Sequence, residues 1–176
     1  GKESKAEFGE PDAPAKASRA DQQPITYVMA LKKSADNSEL VARPELYDFW
    51  RKHHLPKYNY PIFGEFIPGS EPFSKVHLPL FGEGETLDLW RYRRIVASHN
   101  WHSERASVTL FNCAQNDYAL EPYLDNEGLT EQQISANAKE LSLCFVYWLQ
   151  NDAPRSSINE PGHGFKNISL ATDVLG

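Results

Sequence analysis

Along the 176 residues, apolar side chains gather in a few short runs separated by long polar stretches rich in proline and glycine. The most regular pattern follows Gly128. Ile134, Ala138, Leu141, Phe145 and Trp148 recur at spacings of four and three, which places them on one stripe of a helix. Thr130 with Gln133 three residues later is a capping-box pattern that would start this helix, and Asn151, Asp152 and Pro154 would end it. The stripe widens through Leu143, Val146 and Leu149, so the C-terminal half is expected to be the more deeply buried. A second helix is expected after Pro44, where Leu46, Phe49 and Trp50 have helical spacing within ELYDFWRKHH.

Strands are signalled at 24–33 (PITYVMALKK) and at 105–112 (RASVTLFN), both rich in β-branched or aromatic residues. The run FSKVHLPLF contains a proline and therefore reads as an edge strand. In LDLWRYRRIV alternation and helical spacing compete, and the pattern does not decide between strand and helix. ASHNWHSE reads as a polar connection, and the tail as a loop followed by a short apolar strand. Residues 1–23 are charged, rich in proline and alanine and poor in large apolar side chains, which predicts an irregular lead-in. Residues 24–176 then form a single α+β domain with helices packed on a mixed, largely antiparallel sheet, because strands and helices do not alternate regularly.

Composition narrows the function classes. With 40% hydrophobic residues the chain can build a core, and no stretch reaches the roughly 20 apolar residues of a membrane span. The 24 acidic against 18 basic side chains give a net charge of −6, which argues against a nucleic-acid partner. Cys113 and Cys144 are too few and too far apart for a disulfide scaffold or a zinc finger, and they fit either cytoplasm or periplasm. No GxGxxG, Walker loop, GxSxG elbow or HExxH is present.

Candidate chemistry is therefore local. Arg91, Arg93 and Arg94, interleaved with Trp90 and Tyr92, stand out in an acidic chain. They could form an ion-pair network with surplus carboxylates, or hold a carboxylate or phosphate with aromatic rings stacked alongside. Asn112, Gln115, Asn116, Asp117 and Tyr118 follow directly on a strand, and such amides and phenols suit either a polar pocket or an ordinary turn. His99 and His102 have His-x-x-His spacing without a third ligand nearby in sequence, and His53–His54 close a helix. His163 sits between Gly162 and Gly164, where backbone could approach a ligand closely. Cys144 and Trp148 on the long helix read as core residues.

Taken in order, the blocks GKESKAEFGEP, WRYRRI, TLFNCAQNDY, LSLCFVYWLQNDAPR and ISLATDVLG resemble the bacterial FAD-dependent oxidoreductase family, which is similar in fold to glutathione-reductase-like flavoproteins. One departure is Cys113, at a position where the family tends to have tryptophan. The resemblance implies an upstream βαβ unit and a further downstream block that hold FAD, with this chain as the substrate-side domain of a two-domain flavoprotein, cut from a longer chain and inactive alone. Its sheet would then form a wall over the flavin, and its partners would be a small-molecule substrate and the flavin-binding part of the same chain. On residue chemistry, Arg93 and Arg94 are the candidates to orient an anionic or polar substrate. Asn112, Asn116, Asp117 and Tyr118 are the candidates for hydrogen bonding at the pocket. The rival reading is a free-standing binding or accessory module that recognises a sugar or a partner.

Overall fold

The computed structural model describes residues 3–11, 13–36, 38–55, 58, 60–71, 74–84, 87–102 and 105–172. Phe73 of the expected edge strand, part of the 97–104 connection and residues 173–176 of the closing block lie outside them. The elements run α1 (Lys5–Phe8), β1 (Ile25–Thr26), β2 (Met29–Lys33), α2 (Tyr47–Lys52), β3 (Phe66–Pro68), β4 (Lys75–His77), α3 (Leu89–Tyr92), β5 (Arg94–Val96), β6 (Ser107–Phe111), β7 (Asp117–Tyr118), α4 (Glu131–Asn151) and β8 (Ile168–Leu170). The architecture is α+β. A four-stranded sheet of order β5-β6-β2-β8 is flanked by two-stranded ladders β1-β7 and β3-β4, and every one of these pairings is antiparallel.

Helix α4 organises the core. Thr130 caps it, its Oγ1 accepting from the Gln133 N–H at 3.2 Å while Gln133 Oε1 accepts from the Thr130 N–H at 2.9 Å. Ile134, Ala138, Leu141, Phe145, Val146, Leu149 and Trp148 are all buried, as the stripe predicts. Each large side chain among them contributes about 1.5–3 kcal/mol by leaving water. Below them lie Met29, Leu31, Phe111 and Ile168 on the facing side of the sheet, and Phe111 meets Phe145 edge-on at 5.6 Å. Gln150, fully buried near the end of α4, accepts from Val41 N–H at 2.9 Å and donates to the Ile168 carbonyl at 2.7 Å, so it ties two segments to the helix.

The alternate positions of the sheet behave differently. Ala30, Lys32 and Leu110 remain half-exposed, and Val28 is exposed, although Val108 and Ser169 on that side are buried. Helix α4 thus covers one face while the described residues leave the other partly open.

Several expectations are refined. The 24–33 run splits at Tyr27–Val28, because the Tyr27 carbonyl turns away from the ladder to accept from Ser142 Oγ at 2.7 Å and Asn116 Nδ2 at 3.3 Å. The ambiguous run is both things in turn. Asp88 caps α3 by accepting from the Arg91 N–H at 2.7 Å, and β5 follows after Arg93. In α2 the inward pair is Tyr47 and Trp50, whereas Leu46 and Phe49 face outward. The helix starts at Tyr47, two residues into the expected run that begins at Glu45, and Tyr47 docks edge-on against Tyr147 of α4 at 4.7 Å. Strand β4 has a single neighbour, as an edge strand should. In the lead-in, α1 is the one regular element among the described residues, and Arg19 bonds Glu127 at 2.5 Å.

Candidate functional site

At one end of the four-stranded sheet the core gives way to an open cleft of about 810 Å³. Strand register explains which side chains meet there. Lys33 stands opposite Ser107, and Arg94 opposite Thr109, so all four share the face on which α4 packs. Phe81 and Trp90 close one side, their rings 5.6 Å apart, and Phe81 also meets Phe165 at 5.3 Å. Arg105 enters from the residues just before β6.

The electrostatics of this cleft are opposite to those of the chain. Lys33, Arg94 and Arg105 line it, and among the described residues no carboxylate does. Among the described residues none of the three forms an ion pair. Lys33 Nζ lies 4.1 Å from the centre of the Phe81 ring, a cation–π contact. Burial lowers the pKa of this amine below the ordinary lysine range, and the charge of Glu160 offsets part of the shift. The Arg105 guanidinium stacks over Trp101 at 4.6 Å. Ser107 Oγ donates to Ser98 Oγ at 3.0 Å, so hydroxyls line the cleft together with the cations. Beneath them, the fully buried Thr109 Oγ1 has no hydrogen-bond partner.

The residues singled out in the sequence do not form one site. Arg94 lines the cleft and is half-buried. Arg93 points away from it, exposed, with its guanidinium 4.9 Å from the Tyr92 ring. Arg91 follows the ion-pair reading: its Nε donates to Asp88 Oδ2 at 2.5 Å and its Nη1 to the Gly84 carbonyl at 2.5 Å.

Asn112, Asn116, Asp117 and Tyr118 lie past the other end of β6. The Asn116 side chain is fully buried, donating to Phe111 O, Tyr27 O and Ser142 Oγ at 3.2–3.3 Å and accepting from the Cys113 N–H at 3.0 Å. Asp117 accepts from Thr26 Oγ1 across the β1-β7 ladder, and burial raises its pKa above the ordinary aspartate value. The buried Tyr118 hydroxyl is bonded to Glu121 and accepts from Asn137 at 3.2 Å. These three side chains are committed to the fold, whereas Asn112 is half-buried. Near the end of α4, the backbone approach at Gly164 is real, but what it approaches is the helix. Its N–H donates to the Ala153 carbonyl at 2.8 Å, and a Cβ there would lie 2.5 Å from the Gln150 carbonyl oxygen.

Lys33, Phe81 and Arg105 were not singled out from the sequence. A lysine closing a strand and an arginine opening the next are ordinary ends of elements, and only the antiparallel register of β2 and β6 makes them neighbours.

A second, more apolar cleft of about 560 Å³ lies at the opposite end of the sheet, between Val28, Leu110, Leu143, Leu170 and Lys139. Among the described residues no helix is long and apolar enough to cross a membrane. Comparison with known families, with characterised proteins and with solved structures returns no match.

Proposed function

We propose that this chain is the substrate-side part of an FAD-dependent oxidoreductase, its sheet forming a wall over a flavin held by flanking segments. The observation that supports this reading is the sheet itself, covered by α4 on one face and left partly open at Ala30, Leu110 and Val28 on the other. Apolar side chains left partly open suit the face of a conjugated ring, and the apolar cleft beside them extends that surface.

The residues fit the part of a wall and not of a holder. None of the ten glycines belongs to a GxGxxG run, so this stretch offers no such cradle for a pyrophosphate. When bound, the flavin would supply the electron chemistry. The chain would exclude water on the sheet side and position a small-molecule substrate.

The test compares two proteins: the 176-residue chain, and a version extended in both directions by the adjoining coding sequence. Purified extended protein should carry FAD, visible by its absorbance, and the 176-residue chain should not. Stoichiometric FAD on the short chain would overturn the wall reading. A colourless extended protein that gains no flavin on titration would favour the free-standing binding module. The fully buried core formed by Leu31, Leu141, Leu149 and Ile168 is the observation that suits that second reading.

A further inference from the structure

The geometry points to a binding site for a small aromatic carboxylate in the cleft between the ends of β2, β5 and β6, with Arg94 and Arg105 holding the carboxylate and Phe81 and Trp90 receiving the ring. The inference rests on the cleft alone and does not depend on the flavin reading.

Three observations converge. First, a chain of net charge −6 brings three cations to one concave surface that, among the described residues, has no carboxylate in its lining. Glu160 acts on Lys33 from outside the lining, whereas Arg94 and Arg105 form no ion pair among the described residues; such cations repel one another, and an anion between them relieves that cost. Second, the guanidinium of Arg94 comes from a strand in the sheet, opposite Thr109, so its base is held rigidly. A planar guanidinium matches a carboxylate through two parallel hydrogen bonds, and the Ser98–Ser107 hydroxyl pair supplies further polar groups in the same lining. Third, the cations alternate with flat apolar surface. The Phe81 and Trp90 rings form a wall whose other side is anchored by Phe165, and Trp101 stands exposed at the rim under Arg105.

The same features select among anions. Phosphate sites are commonly built from backbone N–H groups at a glycine-rich turn. Among the described residues no glycine lines this cleft, and the donors that line it include side chains of Arg94, Arg105 and Ser107. A volume of about 810 Å³ accommodates a ring compound with room to spare, and it is larger than an inorganic ion needs.

Titration of the ¹⁵N-labelled 176-residue chain with benzoate tests this. Benzoate should bind saturably and shift the Trp90 indole and the Arg94 and Ser107 amide resonances. Benzamide, of the same shape but neutral, should bind at least tenfold more weakly. Arg94→Gln should weaken benzoate about tenfold or more, and Arg105→Gln, at an exposed side chain that the fold does not need, should weaken it severalfold. Arg93→Gln, outside the cleft, should leave it unchanged. Equal binding of benzamide and benzoate would overturn the proposal. So would inorganic phosphate displacing benzoate at equal concentration, shifts confined to the opposite end of the sheet, or full affinity in both cleft variants.

Discussion

Replacing Asn116 by alanine separates a residue that builds the fold from one that serves a ligand. Its amide closes the turn after β6, joins that turn to the Tyr27 carbonyl where β1 ends, and reaches Ser142 on α4. After truncation the Tyr27 carbonyl keeps its bond from Ser142 Oγ at 2.7 Å. The Cys113 N–H loses its side-chain acceptor, and the Phe111 carbonyl loses one donor. An orphaned buried N–H costs about 1–3 kcal/mol, and the small void left behind adds about 1 kcal/mol. The expected loss is therefore about 2–4 kcal/mol, a large part of the stability of a domain this size. With a urea slope of about 2 kcal/mol per molar, the unfolding midpoint should fall by about 1–2 M when followed by circular dichroism. Asn116→Asp should be no milder, because it retains the shape and the acceptor but loses both donors. Asn112→Ala, at a half-buried side chain, should stay within about 0.5 kcal/mol. A midpoint shift below about 0.3 M for Asn116→Ala would refute the reasoning, and stable protein with impaired ligand binding would return Asn116 to the pocket.

Three further outcomes are expected. Gly164→Ala should cost about 2–4 kcal/mol in urea unfolding, since φ is +78° and the new Cβ would meet helix backbone; Gly162→Ala, at φ +99° with open space around it, should cost clearly less. Burial pushes both the Cys113 and Cys144 thiols up to about 12, which leaves a thiolate fraction of roughly 10⁻⁴ at pH 8, so an aromatic disulfide reagent should label the half-buried Cys113 far more slowly than a free thiol and the buried Cys144 only as fast as the protein opens. Burial against Phe49 and Trp50, and the neighbouring His54, hold the His53 pKa below its ordinary value. The unfolded chain then binds a proton first as pH falls through about 6.5, so stability should drop from pH 7 toward pH 5, and His53→Gln should flatten that slope in thermal melts. A slope unchanged in the variant would count against this assignment.

What the sequence made legible follows from how local each signal is. Helix α4 carries its start, its stripe and its stop within about two dozen residues, and each is read without knowing the rest of the chain. Strand β6 is similar. The 87–96 run was undecidable because it holds four helical residues and three strand residues, each too short to establish a period. The outward turn of Leu46 and Phe49 depended on where Tyr47 docks on α4, which is a long-range contact. Asn116 and its neighbours looked equally like a pocket and like a turn, since both use the same amide chemistry; the partners that distinguish the two come from β1 and α4. Arg94 could be picked out by its charge in an acidic chain. Its companions Lys33 and Arg105 could not, because their meeting place is set by strand register.

The position of β2 at the middle of the sheet has a consequence in time. Its two neighbours, β6 and β8, lie about 80 and 140 residues further along the chain. At synthesis rates of about 5–20 residues per second, roughly 7–28 s separate the emergence of β2 from that of its last partner. Through that interval Met29 and Leu31 sit in a nascent strand with both hydrogen-bonding edges unclaimed. Lys32 and Lys33, which end the strand, then act as gatekeepers: the charge beside the Lys33 ring contact also discourages a neighbouring nascent chain from pairing there first.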